Sequence, residues 1–123
     1  MASGISYLQA IGLEAVGTFF LVLVIMGTAV DKRAPAGFAG LAIGFAAAIS
    51  IMAIGNLTGG SLNPARTFGP YLASTLVSGQ NFWWQYPIYV IGPVLGGLVA
   101  AFLYDYIGDI TVKRNTEKPS GKA

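Results

Sequence analysis

Three uninterrupted apolar segments govern what this chain can become. Residues 7–30 hold one charge, Glu14; residues 37–57 hold none; residues 86–108 hold only Asp105, near their end. Each is about 20 residues or longer, and a helix rising 1.5 Å per residue then covers about 30 Å, the depth of a bilayer's hydrocarbon core. Backbone crossing that layer has no water to satisfy it, so the crossing segments must be helical. Composition agrees, with 54% of residues hydrophobic and 10% charged. The first segment lacks a basic n-region and is too long for the apolar core of a cleavable signal peptide. The expectation is an all-α membrane protein with three spans near 7–30, 37–57 and 86–108.

Lys32 and Arg33 lie in the link between the first two spans, and Lys113, Arg114, Lys118 and Lys122 lie in the segment after the third. Arg66 is the only base of the seven on the opposite side. The excess of basic residues on one face places the first link and the C-terminus in the cytoplasm and the N-terminus outside. Residues 111–123 are polar and lysine-rich, and are expected to be disordered.

Cysteine and histidine are both absent, which removes thiol and imidazole chemistry and most transition-metal ligation. The five acids form no close pair within a span, so a two-carboxylate catalytic site is not expected either. No enzyme, cofactor or metal reading survives, and a net charge of +2 gives no reason to expect a nucleic-acid partner.

The second span carries Gly40 and Gly44, followed by Ala46, Ala47, Ala48 and Ser50. Small residues at this spacing are expected to let helices approach closely. The third span repeats the device with Gly92, Gly96 and Gly97, and Pro93 is expected to kink it.

Between these spans, residues 58–77 do not read as an ordinary loop. Thr58-Gly59-Gly60-Ser61 is extended and flexible, Asn63 is a good N-cap, and Pro64 is a good first helical residue, followed by Ala65 and Arg66. A helix from Pro64 to about Leu76 would be roughly 20 Å long, enough to reach halfway through a bilayer. The segment therefore reads as re-entrant. At bilayer depth the positive end of that helix repels cations. The Asn63 oxygen can cap the helix while its NH₂ donates into a lumen, and Arg66 offers a fixed charge about one turn along. The carbonyls of Gly59, Gly60 and Ser61 can serve as acceptors in the same lumen. Acceptors on one wall and donors on the other pass a neutral molecule that does both, while an ion loses hydration. Asn81-Phe82-Trp83-Trp84-Gln85-Tyr86 reads as an aromatic belt, with Trp83 and Trp84 as interfacial anchors.

The run Gly59-Gly60-Ser61-Leu62-Asn63-Pro64-Ala65-Arg66-Thr67-Phe68-Gly69-Pro70 resembles the second Asn-Pro-Ala signature of the aquaporins, the major intrinsic proteins. Glu14-Ala-Val-Gly-Thr18 in the first span and Pro87-Ile-Tyr-Val-Ile-Gly-Pro93 in the third, like the family's last helix, support the resemblance, and the wording of 26–30 and 89–96 looks closest to archaeal aquaporins. The resemblance implies a passive channel for water, with glycerol second, that excludes ions and protons. Asn63, Pro64, Ala65 and Arg66 would line the pore, with Gly59, Gly60 and Ser61 beside them. Ile51, twelve residues before Asn63, takes the place of the histidine of strict water channels, and Gly60 the loop position of the filter. A filter with Ile51 and no side chain at Gly60 would be wide and weakly polar. Thr67 stands where glycerol channels carry aspartate, which favours water. Glu14 would be a buried brace accepting hydrogen bonds from the re-entrant loop; its other reading is a proton relay in a transporter.

The family fold has two inverted halves, and this sequence resembles the second. A working pore is then expected to need a complementary first half or a second copy of this chain, with complete pores gathered as tetramers in membrane lipid. The six-to-one basic bias favours a separate first half, or an origin in a longer protein, over an inverted homodimer. Without a partner, the alternative is a truncated or structural membrane protein that does not conduct.

Overall fold

Ser6 opens the first helix as its N-cap: its hydroxyl accepts from the Gln9 N–H while the Gln9 side chain accepts from the Ser6 N–H. This helix, α1 (Tyr7–Ile25), continues through a π-helical turn (Met26–Val30). Asp31 and Arg33 close a tight turn before α2 (Ala39–Thr58). α2 ends at Gly59, whose φ of 100° is open to glycine but not to a side-chain-bearing residue without strain. Residues 60–63 lead to α3 (Pro64–Ser78), with Gly60 and Leu62 in left-handed rather than the expected extended backbone, and a 3₁₀ turn (Trp83–Gln85) leads to α4 (Tyr86–Glu117). The structure is a computed structural model; it describes residues 1–117, with side chains to residue 109.

The expected segments are present with shifted ends. Three helical stretches are long and apolar enough to cross a membrane, at Tyr7–Val30, Ala39–Thr58 and Trp83–Asp109. The fourth, α3, has 15 residues, about 22 Å, and stops short of a crossing. The last helix does not end near 108: it runs to Glu117, so residues 111–117, expected to be disordered, are helical, and residues 118–123 lie outside the described residues. Pro93 sits inside a continuous α4.

The bundle is held along the α1–α4 seam by backbone contact. A Cβ placed on Gly96 would lie 2.0 Å from the Ala15 carbonyl oxygen, and one on Gly92 would lie 2.8 Å from the Ile11 carbonyl. Such approach is how helices pack where lipid removes any hydrophobic reward for association. The second span behaves differently from expectation: nothing lies within 4 Å of a Cβ on Gly40 or Gly44. Its buried residues are instead Ala46, Ser50, Ile54 and Thr58, on the face turned to α1. Large apolar side chains such as Leu8, Met52, Val77 and Phe102 stand outward, the inverse of a water-soluble surface.

A candidate selectivity wall on the re-entrant loop

Glu14 is completely buried in α1, and its carboxylate gathers the loop. Oε1 accepts from the Thr58 hydroxyl at 2.7 Å and from the Ser61 N–H at 3.0 Å; Oε2 accepts from the Leu62 N–H at 2.7 Å. Burying a carboxylate is costly unless its lone pairs are satisfied, and these charge-assisted bonds satisfy them. The Tyr89 hydroxyl of α4 donates to the Thr58 carbonyl, and Thr58 Oγ1 accepts from the Gly60 N–H at 3.2 Å. Polar backbone between α2 and α3 is therefore bonded on the side facing the bundle. Among the described residues no buried side-chain polar atom lacks a partner.

Leu62 departs from ordinary backbone, with φ at 58°, the one left-handed non-glycine residue among those described. Its carbonyl accepts from the Thr18 hydroxyl at 3.4 Å, and its side chain packs over Gly17. Asn63 then returns to extended backbone at φ −156°, and its Oδ1 accepts from the Ala65 N–H at 2.8 Å, capping α3. The Asn63 carbonyl accepts from the Thr67 N–H and from the Ser61 hydroxyl, and the Ser61 and Thr67 hydroxyls meet each other. The Pro64 carbonyl accepts from the Tyr86 hydroxyl at 3.5 Å.

Arg66, at the third position of α3, bends back over the loop. Its Nη1 donates to the Gly60 carbonyl at 3.0 Å and the Ser61 carbonyl at 3.4 Å. Two of the three expected acceptors are thus shared with this guanidinium, each keeping one lone pair. Among the described residues no carboxylate pairs with Arg66, and the one ion pair joins Arg33 to Asp31. A cation in the first turn of a helix opposes the macrodipole, so local stability does not explain its placement. Its Nε and Nη2 donors and the Asn63 Nδ2 donors have no protein partner among the described residues.

Arg66, Gly59, Ser61 and Thr67 line a cavity of about 230 Å³ with Thr58, Pro70, Tyr71 and Tyr89; Ile51 and Asn63 are not in its lining. The Ile51 backbone meets the loop at Gly60. A Cβ on Gly60, whose φ is 57°, would stand 3.1 Å from the Ile51 Cα. The missing side chain at Gly60 therefore lets the loop seat against α2. Trp83, expected only as an interfacial anchor, also makes internal contacts. Its indole N–H donates to the Thr75 hydroxyl at 3.0 Å, and its ring packs edge-on to Phe68, Tyr71 and Tyr86, fastening α3 to α4, while Trp84 stands 59% exposed. Sequence reasoning gave no role to Thr18, Thr58 or Leu62, and it read Tyr89 as packing without its bond to the Thr58 carbonyl. The spacing of Thr18, four residues after Glu14 on the same helix face, was the available signal. Among the described residues no three potential metal ligands come together.

Comparison with known proteins places this geometry. The family model described as major intrinsic protein matches residues 1–104. The chain is 62% identical over 104 residues to the probable aquaporin AqpM of Archaeoglobus fulgidus and 58% identical over 104 residues to the aquaporin AqpM of Methanothermobacter marburgensis. Each match takes in 85% of this chain and 42% of the relative. Over 110 residues it is 44% identical to the aquaporin NIP2-1 of Zea mays, covering 89% of this chain and 33% of that protein. The chain thus spans less than half the length of these relatives. With three helices of bilayer length around a Glu14-braced Asn-Pro-Ala-Arg loop, it is a multi-pass membrane protein and belongs to the major intrinsic protein family.

Proposed function

We propose that this chain supplies one wall of a passive pore for water, and second for small neutral solutes such as glycerol, with no chemical step. The observation that carries the reading is the tip of α3. There Arg66 Nη1 donates to the Gly60 and Ser61 carbonyls, while its Nε and Nη2 donors and the Asn63 Nδ2 donors have no protein partner among the described residues. A water molecule gives and takes hydrogen bonds along such a wall, while a cation meets both a full charge and a helix N-terminus. Ile51 behind the loop supplies an apolar flank. Thr67 is turned into the loop, bonded to Ser61, and adds no acidic group for a polyol.

The opposite wall comes from a complementary first half, on another chain or on the remainder of a longer protein. The reasons are that the aquaporin relatives are more than twice as long as the matched region and that Asn63 and Arg66 stand exposed here. Complete pores then assemble as tetramers, with the N-terminus outside and the first link and C-terminus in the cytoplasm. The second reading, a membrane protein that does not conduct, follows from the same exposure if nothing covers it. Osmotic swelling of vesicles separates the two. Vesicles holding this chain together with a first half shrink faster in hyperosmotic buffer than vesicles holding either alone; equal rates in all three contradict the channel.

A further inference from the structure

The hydrogen bonds of Asn63 and Arg66 side chains stay within residues 60–67, so none ties these two groups directly to a membrane-spanning helix. The residue that joins Asn63 to α1 is its neighbour Leu62. All three parts of Leu62 are engaged by one face of α1: the N–H by Glu14, the carbonyl by Thr18, and the side chain by Gly17. The fit over Gly17 is close, since a Cβ there would lie 2.7 Å from Leu62 Cδ2 and 3.0 Å from Ile54 Cδ1. Ser50 of α2 donates to the Gly17 carbonyl at 3.3 Å, which fixes the same point from the other side. Leu62 is 6% exposed. A leucine in left-handed backbone persists only where its surroundings over-determine it, and such residues gather where geometry matters to function. Relaxation of Leu62 to ordinary negative φ would swing the chain immediately before Asn63.

We propose that Leu62, clamped by Gly17 and Thr18, is a positioning residue for the pore wall: α1 holds the left-handed turn, and that turn sets where the Asn63 amide points and where α3 begins. This rests on the proposed function for its consequence, though not for its geometry. Glu14 makes the loop stable as a whole; the Leu62 clamp selects one of its conformations. Thr18 and Gly17 touch no permeating molecule and act through Leu62.

The test uses the full chain in lipid nanodiscs, with the Asn63 side-chain amide followed by ¹⁵N–¹H resonances and assigned by their loss in N63D. Wild type gives one Asn63 amide pair. L62A keeps the backbone strain without the anchor, and T18V removes the hydroxyl donor at nearly equal volume; each is expected to raise a second Asn63 conformer at least about fivefold. T18S restores the single pair. Unchanged Asn63 signals in L62A and T18V, with helicity intact by circular dichroism, overturn the proposal. If L62A loses helicity, T18V and its T18S rescue decide alone. In vesicles carrying the chain with its first half, L62A and T18V also lower water permeability about fivefold at equal incorporation, and T18S restores it. A conducting wild type whose permeability these variants leave unchanged overturns the proposal. Failure of wild type to conduct removes the channel reading, and the amide signals then decide the clamp separately.

Discussion

The Arg66 guanidinium donates to the carbonyl of Gly60, and Gly60 in turn rests against the Ile51 turn of α2. Three positions scattered over sixteen residues of sequence thereby become one surface. The guanidinium holds the loop and the loop holds the guanidinium, so the charge is fixed in direction without a carboxylate to neutralise it. Three of the five Arg66 N–H donors have no protein partner among the described residues.

Glu14 is the point at which the loop is stabilised. E14A leaves the Ser61 and Leu62 N–H groups buried without acceptors, at about 1–3 kcal/mol each, while the Thr58 hydroxyl keeps only the Ile54 carbonyl at 3.3 Å. The expected loss is at least about 2 kcal/mol in unfolding by mixed detergent micelles. E14Q, which retains one acceptor oxygen, falls between. An E14A protein as stable as wild type contradicts the brace.

Gly96 sets the distance between α1 and α4. G96A places a methyl 2.0 Å from the Ala15 carbonyl oxygen and must separate the helices. It should cost at least about 2 kcal/mol in the same unfolding measurement. G44A meets nothing within 4 Å and should change this chain's stability by less than about 0.5 kcal/mol.

Trp83 fastens the re-entrant helix. W83A removes three aromatic contacts and the bond to Thr75, and is expected to cost roughly 2–4 kcal/mol and to speed amide exchange along α3. W84A, at an exposed position, should leave α3 exchange unchanged.

Asp31 gives a pH dependence of known sign. The Arg33 hydrogen bonds, followed by that of the Tyr104 hydroxyl, hold its carboxyl well below the usual carboxylate range. A depressed folded pKa contributes stability that is present in full above the unfolded value of 3.8 and is lost as pH falls from there toward the folded one. Thermal unfolding should show no Asp31-dependent change between pH 5 and 8 and a decline below about pH 4 that D31N removes. Added salt should shrink the effect, because the pair is at the surface.

The spans were legible because length and apolarity alone define them, and the half-helix was legible because Asn63, Pro64 and its 15 residues are too short for a crossing and too apolar for a loop. The packing partners were not. Gly40 and Gly44 carry the same spacing signal as Gly92 and Gly96, yet only the second pair meets a helix, because spacing says what a face permits and not what arrives there. The left-handed turn at Leu62 was invisible for a related reason. Leucine has no local preference for it, and α1 imposes it through Glu14, Gly17 and Thr18, more than forty residues away in sequence. The helix past residue 108 escaped notice because charge composition argues for solvation and leaves backbone conformation open. The close approach of Gly60 to the Ile51 backbone was not legible either, because the absence of a side chain says nothing of which way one would have pointed.

The most direct test of the pore wall is the ratio of glycerol to water permeability in vesicles carrying this chain with its first half, compared between wild type and R66A. Loss of the guanidinium removes the fixed donors and the bonds to Gly60 and Ser61, so the constriction opens. The ratio should rise at least about threefold, the effect of losing roughly 0.7 kcal/mol of discrimination and well within the worth of one charged hydrogen bond. A ratio unchanged in R66A, with wild type conducting and both proteins equally incorporated, would show that Arg66 does not face the permeating solute.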